Sequence, residues 1–483
     1  MATAEVGDEQ FLERLLVPAR LSLICRGDNV LGYNPAFNVW HRIDPAAAAM
    51  LRWLRAGRDR QGLRDYVARH TPLGETGEPL IRTAEKLVLR RLLYLDHEPA
   101  LQPVVHPDAP LGTVYWITTQ KCNLRCTYCY QDAARPRAEE LSTDEGKAVI
   151  DQAHAAGAQT FVFTGGEPFS RRDLLELAAY SKSKGLRTNV ITNGAFINVH
   201  NIDRVASIFD LVTVSLDHLI PEHHDRIRGH RSWEKAIRAI DLLLEAGVSV
   251  DINSVLSRHG IEDLAALVGL RRAKRIGMHK IVPQFPMGRG GTSRGDELSA
   301  NQLLGLSDQM AQVSGASRPG TPGATEEEST PSGKGDVRDH CGAGLSEVSV
   351  DPEGWVYPCK LLQYPELRAG NIRDTSIATL YATDPILQKA QASTSDVLPT
   401  CRTCIIQRGC GGGCRGIHYS FTGHYDEAAP IFCSYLRRTF EVKAWRSTGE
   451  VPAARRNEWA DPSIDGSSTP AVMLGMPTLR SNP

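Results

Sequence analysis

Between residues 113 and 285 the chain alternates short apolar runs with stretches of helical periodicity. The runs are Val114–Thr118, Thr160–Thr164, Leu186–Thr192, Leu211–Leu216, Val248–Leu256 and Lys280–Phe285. Helical patterns lie between them at about 143–156, 171–184, 198–209, 232–246 and 261–276. Runs this short and this apolar read as buried strands. Strand and helix in strict alternation restrict the chain to an α/β fold with a parallel sheet and right-handed crossovers. In such folds ligands gather at the C-terminal ends of the strands, so the residues at those ends are the first candidates for function.

The first run leads into three cysteines, Cys122, Cys126 and Cys129, with Tyr128 before the last. Three thiolates on one tight loop can hold three irons of a four-iron cluster and leave the fourth open to bind substrate or cofactor. The spacing departs from the paired ligands of a structural zinc ribbon. The second run ends in Gly165, Gly166, Glu167 and Pro168. Two glycines allow a backbone to approach a ligand closely, and a carboxylate there can pair with an ammonium group. The later runs end in Thr192 and Asn193, in Ser215 and Asp217, in Asn253 and Ser254, and at Gln284.

The cysteine spacing, Tyr128 and the Gly-Gly-Glu-Pro strand end resemble the radical S-adenosylmethionine (radical SAM) enzymes. The resemblance implies a partial (β/α)6 TIM-type barrel over residues 111–310. It implies that Cys122, Cys126 and Cys129 hold a 4Fe-4S cluster whose open iron is chelated by the amino and carboxylate groups of S-adenosylmethionine. Reduction then cleaves the cofactor to a 5′-deoxyadenosyl radical. By the same resemblance Tyr128, Gly165, Gly166, Glu167, Pro168, Thr192, Asn193, Ser215 and Asp217 line the cofactor site, and Glu167 with its glycines holds the amino group. Asp225-Arg226-Ile227-Arg228-Gly229 also resembles the family at this point of the barrel, with Arg228 as a carboxylate ligand.

A second cysteine set follows residue 340. Cys341, Gly354 and Cys359 are followed by Cys401, Cys404, Cys410, Cys414 and Cys433. This spacing resembles the SPASM extension of radical SAM enzymes, which carries two auxiliary clusters, and assigns it to residues 340–446. The resemblance implies an outer 4Fe-4S cluster on Cys401, Cys404, Cys410 and Cys433, and an inner one on Cys341, Cys359 and Cys414. With S-adenosylmethionine and the barrel cluster, that makes three 4Fe-4S clusters. Gly411, Gly412 and Gly413 let the chain turn tightly between Cys410 and Cys414. The inner cluster has three cysteines only, so it has an open iron or a further ligand such as Glu347 or Cys25. Cys25, inside an apolar run, reads as a buried, inert thiol.

Ahead of the barrel, residues 15–100 hold strand-like pieces at Arg20–Cys25 and Asn38–Ile43, then a helix opened by Asp44 and Pro45 and stopped at Gly57. Helical patterns follow at 60–70 and 79–92. Strands followed by three short helices resemble the winged-helix-like recognition domain of ribosomal peptide pathways. The resemblance implies that a leader peptide adds as a strand to a sheet edge. Residues 311–339 read as a flexible linker, and 447–483 as a largely disordered tail.

A net charge of −1 supplies no electrostatic argument for nucleic acid or a membrane surface. No run is long enough to span a bilayer, and the N-terminus lacks the basic and apolar regions of a secretory signal. Eleven cysteines without export point to metal ligation in a reducing compartment, the cytoplasm. The expected activity is modification of a ribosomally made precursor peptide by hydrogen abstraction, forming a thioether or carbon–carbon cross-link. Its partners are a precursor peptide with a leader and an electron donor such as flavodoxin or ferredoxin. Formylglycine formation in sulfatases is a second reading, but relatives of that kind place an aspartate where Lys360 follows Cys359 here. Radical dehydrogenation of a small molecule is a third. An iron–sulfur sensor or a peptide-binding scaffold is the non-enzymatic alternative.

Overall fold

The computed structural model describes residues 8–448 except 27–28, 59–61, 64, 67–79, 100–110, 275, 293–295, 315–331 and 335–336. The expected tail lies outside the described residues apart from its first two positions, as do most of the pattern at 60–70 and the middle of the expected linker. The strands, in chain order, are β1 (Leu15–Leu16), β2 (Ser22–Arg26), β3 (Asn29–Asn34), β4 (Val39–Ile43), β5 (Tyr94–Leu95), β6 (Thr113–Ile117), β7 (Thr160–Thr164), β8 (Arg187–Thr192), β9 (Leu211–Ser215), β10 (Val250–Leu256), β11 (His279–Pro283), β12 (Ser332–Lys334), β13 (Glu347–Val350) and β14 (Val356–Tyr357).

Strands β6 to β11 lie side by side in sequence order and pair in parallel throughout. This is the sheet expected of a partial barrel. Helices Thr143–Ala155, Leu174–Ser183, Ile202–Ile208, Ser232–Glu245 and Leu264–Lys274 fill the crossovers. Their starts follow local chemistry: Ser142 and Glu145 form a reciprocal cap, each side chain accepting from the other's backbone N–H. Alternate strand residues, among them Val114, Trp116, Phe161, Phe163, Val190, Val212 and Val214, are buried in the core that the helices complete. The other parity, including Tyr115, Asn189, Thr213, Asn253 and Lys280, lines the concave face. Among the described residues no helix is long and apolar enough to cross a membrane.

The cysteine-rich region is not a separate body. Its first strand, β13, pairs in parallel with β6 and extends the barrel sheet, and β14 returns antiparallel. Val348 and Val350 are buried in the barrel's own core. The two short strands bury their valines in the barrel's core, while Ala343, Leu362, Ala390, Tyr419 and Tyr425 form a cluster within the region itself.

In the N-terminal region β2, β3 and β4 form an antiparallel sheet. β3 was absent from the expectation because Asn29, Gly32 and Asn34 interrupt its apolar pattern. Asp44 caps the helix Pro45–Arg55 as expected, its Oδ1 accepting from Ala47 N at 2.7 Å. One set of sheet residues packs with Met50, Leu51, Leu54 and Leu87 of the helices. The other set, Ile24, Leu31, Tyr33 and Trp40, packs on Ile406, Ala444 and Trp445 of the cysteine-rich region. Each large apolar side chain so buried contributes about 1.5–3 kcal/mol. Arg26 pairs with Glu441 at 2.6 Å, and Arg20 donates to Gln407 Oε1 and to the carbonyl of Cys404, each at 2.5 Å.

Two expectations are corrected. Residues 332–334, expected within a flexible linker, form β12 and pair with β4, and the helix Ala300–Ser314 runs into the linker's start. Cys25, expected to be buried, is exposed. It sits on outer strand β2 beside Arg52, while its neighbour Ile24 takes the buried side, as period-two alternation requires.

Candidate functional site

The strand ends converge on the cysteine loop. The chain after β6 and the chain after β7 run against each other: Gly166 N donates to Thr119 O at 2.8 Å and Glu167 N to Lys121 O at 2.9 Å. A Cβ on Gly165 would come within 2.8 Å of Thr119 O, and one on Gly166 would collide with Lys121 O. Gly165 also has φ +152°. The glycine pair is therefore required by the close approach of the cysteine loop itself, a reason the linear pattern did not reveal.

Glu167 is fully buried. Its carboxylate accepts from Thr192 Oγ1 (2.7 Å), Asn193 N (2.8 Å) and Phe169 N (3.1 Å). These bonds aim the group and leave it room to accept another donor. Burial pushes its carboxyl up to about 7, against the pull of those bonds. The folded-state value lies above the ordinary 4.5, so in the ligand-free protein the stability linked to this group is full below about 4.5 and is lost as pH rises through about 7. A docked ammonium reverses the preference, because it pairs with the carboxylate only. Affinity for S-adenosylmethionine is therefore expected to fall about tenfold per pH unit below 7. Calorimetric titration at about pH 6 and about pH 7.5 measures this. Glu167→Gln should bind more weakly at the higher pH and lose the slope; a variant that keeps the slope removes Glu167 from the cofactor site.

Asp217, beyond the end of β9, is 0% exposed. Arg228 holds it with two bonds, Nε to Oδ2 at 2.6 Å and Nη2 to Oδ1 at 3.1 Å. Tyr128 of the cysteine loop donates its hydroxyl to the same carboxylate, and Val255 N donates to it at 2.9 Å. Burial raises the Asp217 carboxyl, but Arg228 outweighs it and holds the group below its ordinary value. Arg228 thus has its carboxylate partner inside the protein. Ser215, the last residue of β9, is half-buried and pairs in register with Asn253. Pro168 opens a short 3-10 turn that orients Glu167.

Two residues that hold the loop, Arg289 and Glu140, were missed, as was His418 beside the later cysteines. Arg289 bonds the carbonyls of Cys126 (3.1 Å) and Ala133 (2.9 Å) and pairs with Asp132 at 2.7 Å. Glu140 accepts from Thr119 Oγ1 and Gln120 N. His418 lines the cavity between the later cysteines. No local spacing marks them, because their partners are distant in sequence.

The cysteines fall into the three expected groups. Cys401, Cys404, Cys410 and Cys433 line one cavity with His418 and Arg437. Gly411, Gly412 and Gly413 all have positive φ, which lets the chain turn back from Cys410 to Cys414. Cys414 is an electrostatic neighbour of both Cys341 and Cys359, with Glu347 and Lys360 beside Cys359. Cys25 takes no part in this group and contacts Arg52. Cys122, Cys126 and Cys129 form the third group, under Glu167. Among the described residues no three cysteine sulfurs lie within 4.8 Å of one another. Four sulfurs on one zinc are about 3.8 Å apart, given Zn–S bonds of about 2.3 Å. No three of them are thus as close together as the ligands of one zinc ion.

Residues 116–270 match the sequence model of the Radical SAM superfamily, and residues 341–405 match that of the SPASM iron-sulfur cluster-binding domain. The chain is 34% identical over 192 residues to the Fe-coproporphyrin III synthase of Methanosarcina barkeri, a match covering 39% of this chain and 48% of that protein. It is 30% identical over 324 residues to the mycofactocin maturase of Mycobacterium tuberculosis, covering 65% of this chain and 81% of that one. The solved structure of Streptococcus suis SuiB bound to S-adenosylmethionine is similar in fold, with a TM-score of 0.51 at 16% identity, over 83% of this chain and 95% of that chain.

Proposed function

The chain belongs to the radical SAM superfamily of enzymes and carries its SPASM extension; on that premise we propose that it modifies a ribosomally made precursor peptide, joining two of its residues through a thioether or carbon–carbon bond. The observation that carries this reading is the N-terminal sheet docked against the outer cysteine group, with an edge that no further strand covers among the described residues. β2 is the outer strand of the order β12-β4-β3-β2. A leader adding as a strand has β2 as its free edge, or displaces the three-residue β12. The likeness to a mycofactocin maturase supports the same class of substrate.

Cys122, Cys126 and Cys129 would hold the catalytic cluster; Cys401, Cys404, Cys410 and Cys433 the outer auxiliary one; Cys341, Cys359 and Cys414 the inner one. The chemistry supplied when cluster and S-adenosylmethionine are bound is one-electron cleavage to a hydrogen-abstracting radical. Glu167, with Thr192 and Asn193 behind it, orients the cofactor's ammonium. Arg228 and Asp217 hold Tyr128 and so fix the cysteine loop. Tyr115, Asn189 and Lys280 on the concave face form the wall that the peptide meets.

Cross-linking removes two hydrogens from the peptide. The expected result is release of 5′-deoxyadenosine together with a peptide lighter by two hydrogen atoms, when the enzyme is co-expressed with a candidate precursor peptide. The likeness to a Fe-coproporphyrin III synthase favours a porphyrin as the second reading. Formation of Fe-coproporphyrin III from a tetrapyrrole precursor, with no change in peptide mass, would replace the first reading by the second.

A further inference from the structure

One group of ligating side chains lies outside the cysteine sites. His218 directly follows Asp217, His223 lies on the helix Pro221–Arg228, and Asp263 ends the 3-10 turn Arg258–Asp263. One ligand atom from each lies within 4.8 Å of the other two. His218 Nδ1 is 2.9 Å from Asp263 Oδ2, and His223 Nδ1 is 3.9 Å from the same oxygen. The imidazoles meet edge to face, with centroids 5.5 Å apart and planes at 85°.

A hydrogen-bonded His–Asp pair accounts for His218 and Asp263 but not for His223. The Nδ1 of His223 is buried without a hydrogen-bond partner among the described residues, 3.9 Å from a carboxylate oxygen. That gap is too long for a hydrogen bond. It suits two atoms that share an ion: bonds of about 2.0–2.2 Å to one tetrahedral centre leave nitrogen and oxygen ligands roughly 3.4 Å apart. The two observed separations fall on either side of that value, so small side-chain adjustments close the site. Charge points the same way. The Asp263 side chain is 8% exposed and forms no ion pair with lysine or arginine among the described residues. A buried carboxylate without a cation is costly, and a divalent ion supplies the missing charge. Two imidazoles with one carboxylate select a transition ion over calcium or magnesium, which take oxygen ligands.

We propose that His218, His223 and Asp263 bind one divalent transition ion of the zinc type, separate from all three cysteine groups. The ion ties the helix Pro221–Arg228 to the turn Arg258–Asp263. It thereby braces both members of the Asp217–Arg228 pair, since His218 adjoins Asp217 and His223 shares a helix with Arg228. The site is independent of the substrate reading and stands whether the substrate is a peptide or a porphyrin.

The test uses enzyme with its iron–sulfur clusters installed, equilibrated with buffered Zn(II). Zinc, iron and sulfide are counted, and the zinc surroundings are read by X-ray absorption. The expected result is one zinc per chain with nitrogen and oxygen neighbours only, at unchanged iron and sulfide. His223→Ala should weaken zinc binding at least about 100-fold and leave cluster content unchanged. His223 is 29% exposed, so this variant tests the site without emptying a core position. Zinc should also raise the melting temperature of the wild-type enzyme and not that of the variant. Sulfur neighbours at the zinc, no zinc retained, or zinc retention unchanged by both His223→Ala and Asp263→Asn would each overturn the proposal.

Discussion

Replacing Cys126 by alanine is expected to reduce 5′-deoxyadenosine release to background while the later cysteine groups keep their clusters. Iron should fall from about twelve to about eight per chain, with sulfide falling in step, if each group holds four irons. The separation follows from the architecture. Cys126 is an electrostatic neighbour of Cys129, Arg228 and Asp217, whereas Cys401, Cys404, Cys410 and Cys433 line a cavity of their own. Arg289 bonds the backbone of Cys126, not its sulfur, so the loop keeps its shape when the thiol is lost. Iron analysis and deoxyadenosine chromatography on one preparation decide the matter. Full cofactor cleavage by the variant, or loss of all iron together, would show that the groups are not independent sites.

Arg228→Ala is expected to destabilise the protein by about 3–5 kcal/mol, because it leaves a buried carboxylate without its partner. Asp217 and Arg228 have side chains 0% and 8% exposed, so solvent does not screen the loss. The pH dependence has a definite sign. In the wild type Asp217 is held below its ordinary value, so the pair's contribution is present above the unfolded carboxyl range and is lost as pH falls through the folded one. In the variant burial acts against the weaker opposition of Tyr128 and Val255 N, and protonation relieves the penalty. The defect should therefore shrink as pH is lowered toward about 4. Calorimetric melting across that range measures it. The double replacement Arg228→Met with Asp217→Asn should recover most of the stability, since no buried charge remains. It should not recover cofactor cleavage, because Tyr128 then loses the carboxylate that positions it. A variant as stable as the wild type would mean that the pair is solvated in solution.

The docking of the N-terminal sheet changes how leader recognition must be probed. Removing residues 15–100 would strip Tyr33 and Trp40 from Ile406, Ala444 and Trp445 and uncover the flank of the outer cysteine group. A truncated enzyme would lose more than a recognition domain. Changes on β2 that spare Ile24 and Arg26 are the cleaner approach, because among the described residues that strand pairs only with β3.

Much of the molecule was legible in the order of its residues. The six barrel strands, their crossover helices and the turn at Gly411 to Gly413 rest on short-range signals, while the grouping of the cysteines was implied by the resemblance of their spacing to the SPASM extension. Periodicity, spacing and the conformational freedom of glycine act within a few residues, so they can be read without a fold. β3 escaped because Asn29, Gly32 and Asn34 hide an apolar alternation that only its neighbours on both sides make stable. Burial of Cys25 was misjudged because an apolar run does not say which parity faces inward. The Asp217–Arg228–Tyr128 contact, the brace of Arg289 on Cys126, the meeting of His218, His223 and Asp263, and the joining of β13 to the barrel were decided by tertiary structure. Each depends on parts of the chain that come together only when the sheet curves and its helices pack. The free energy that selects them is burial and charge pairing between distant residues, which no local pattern encodes.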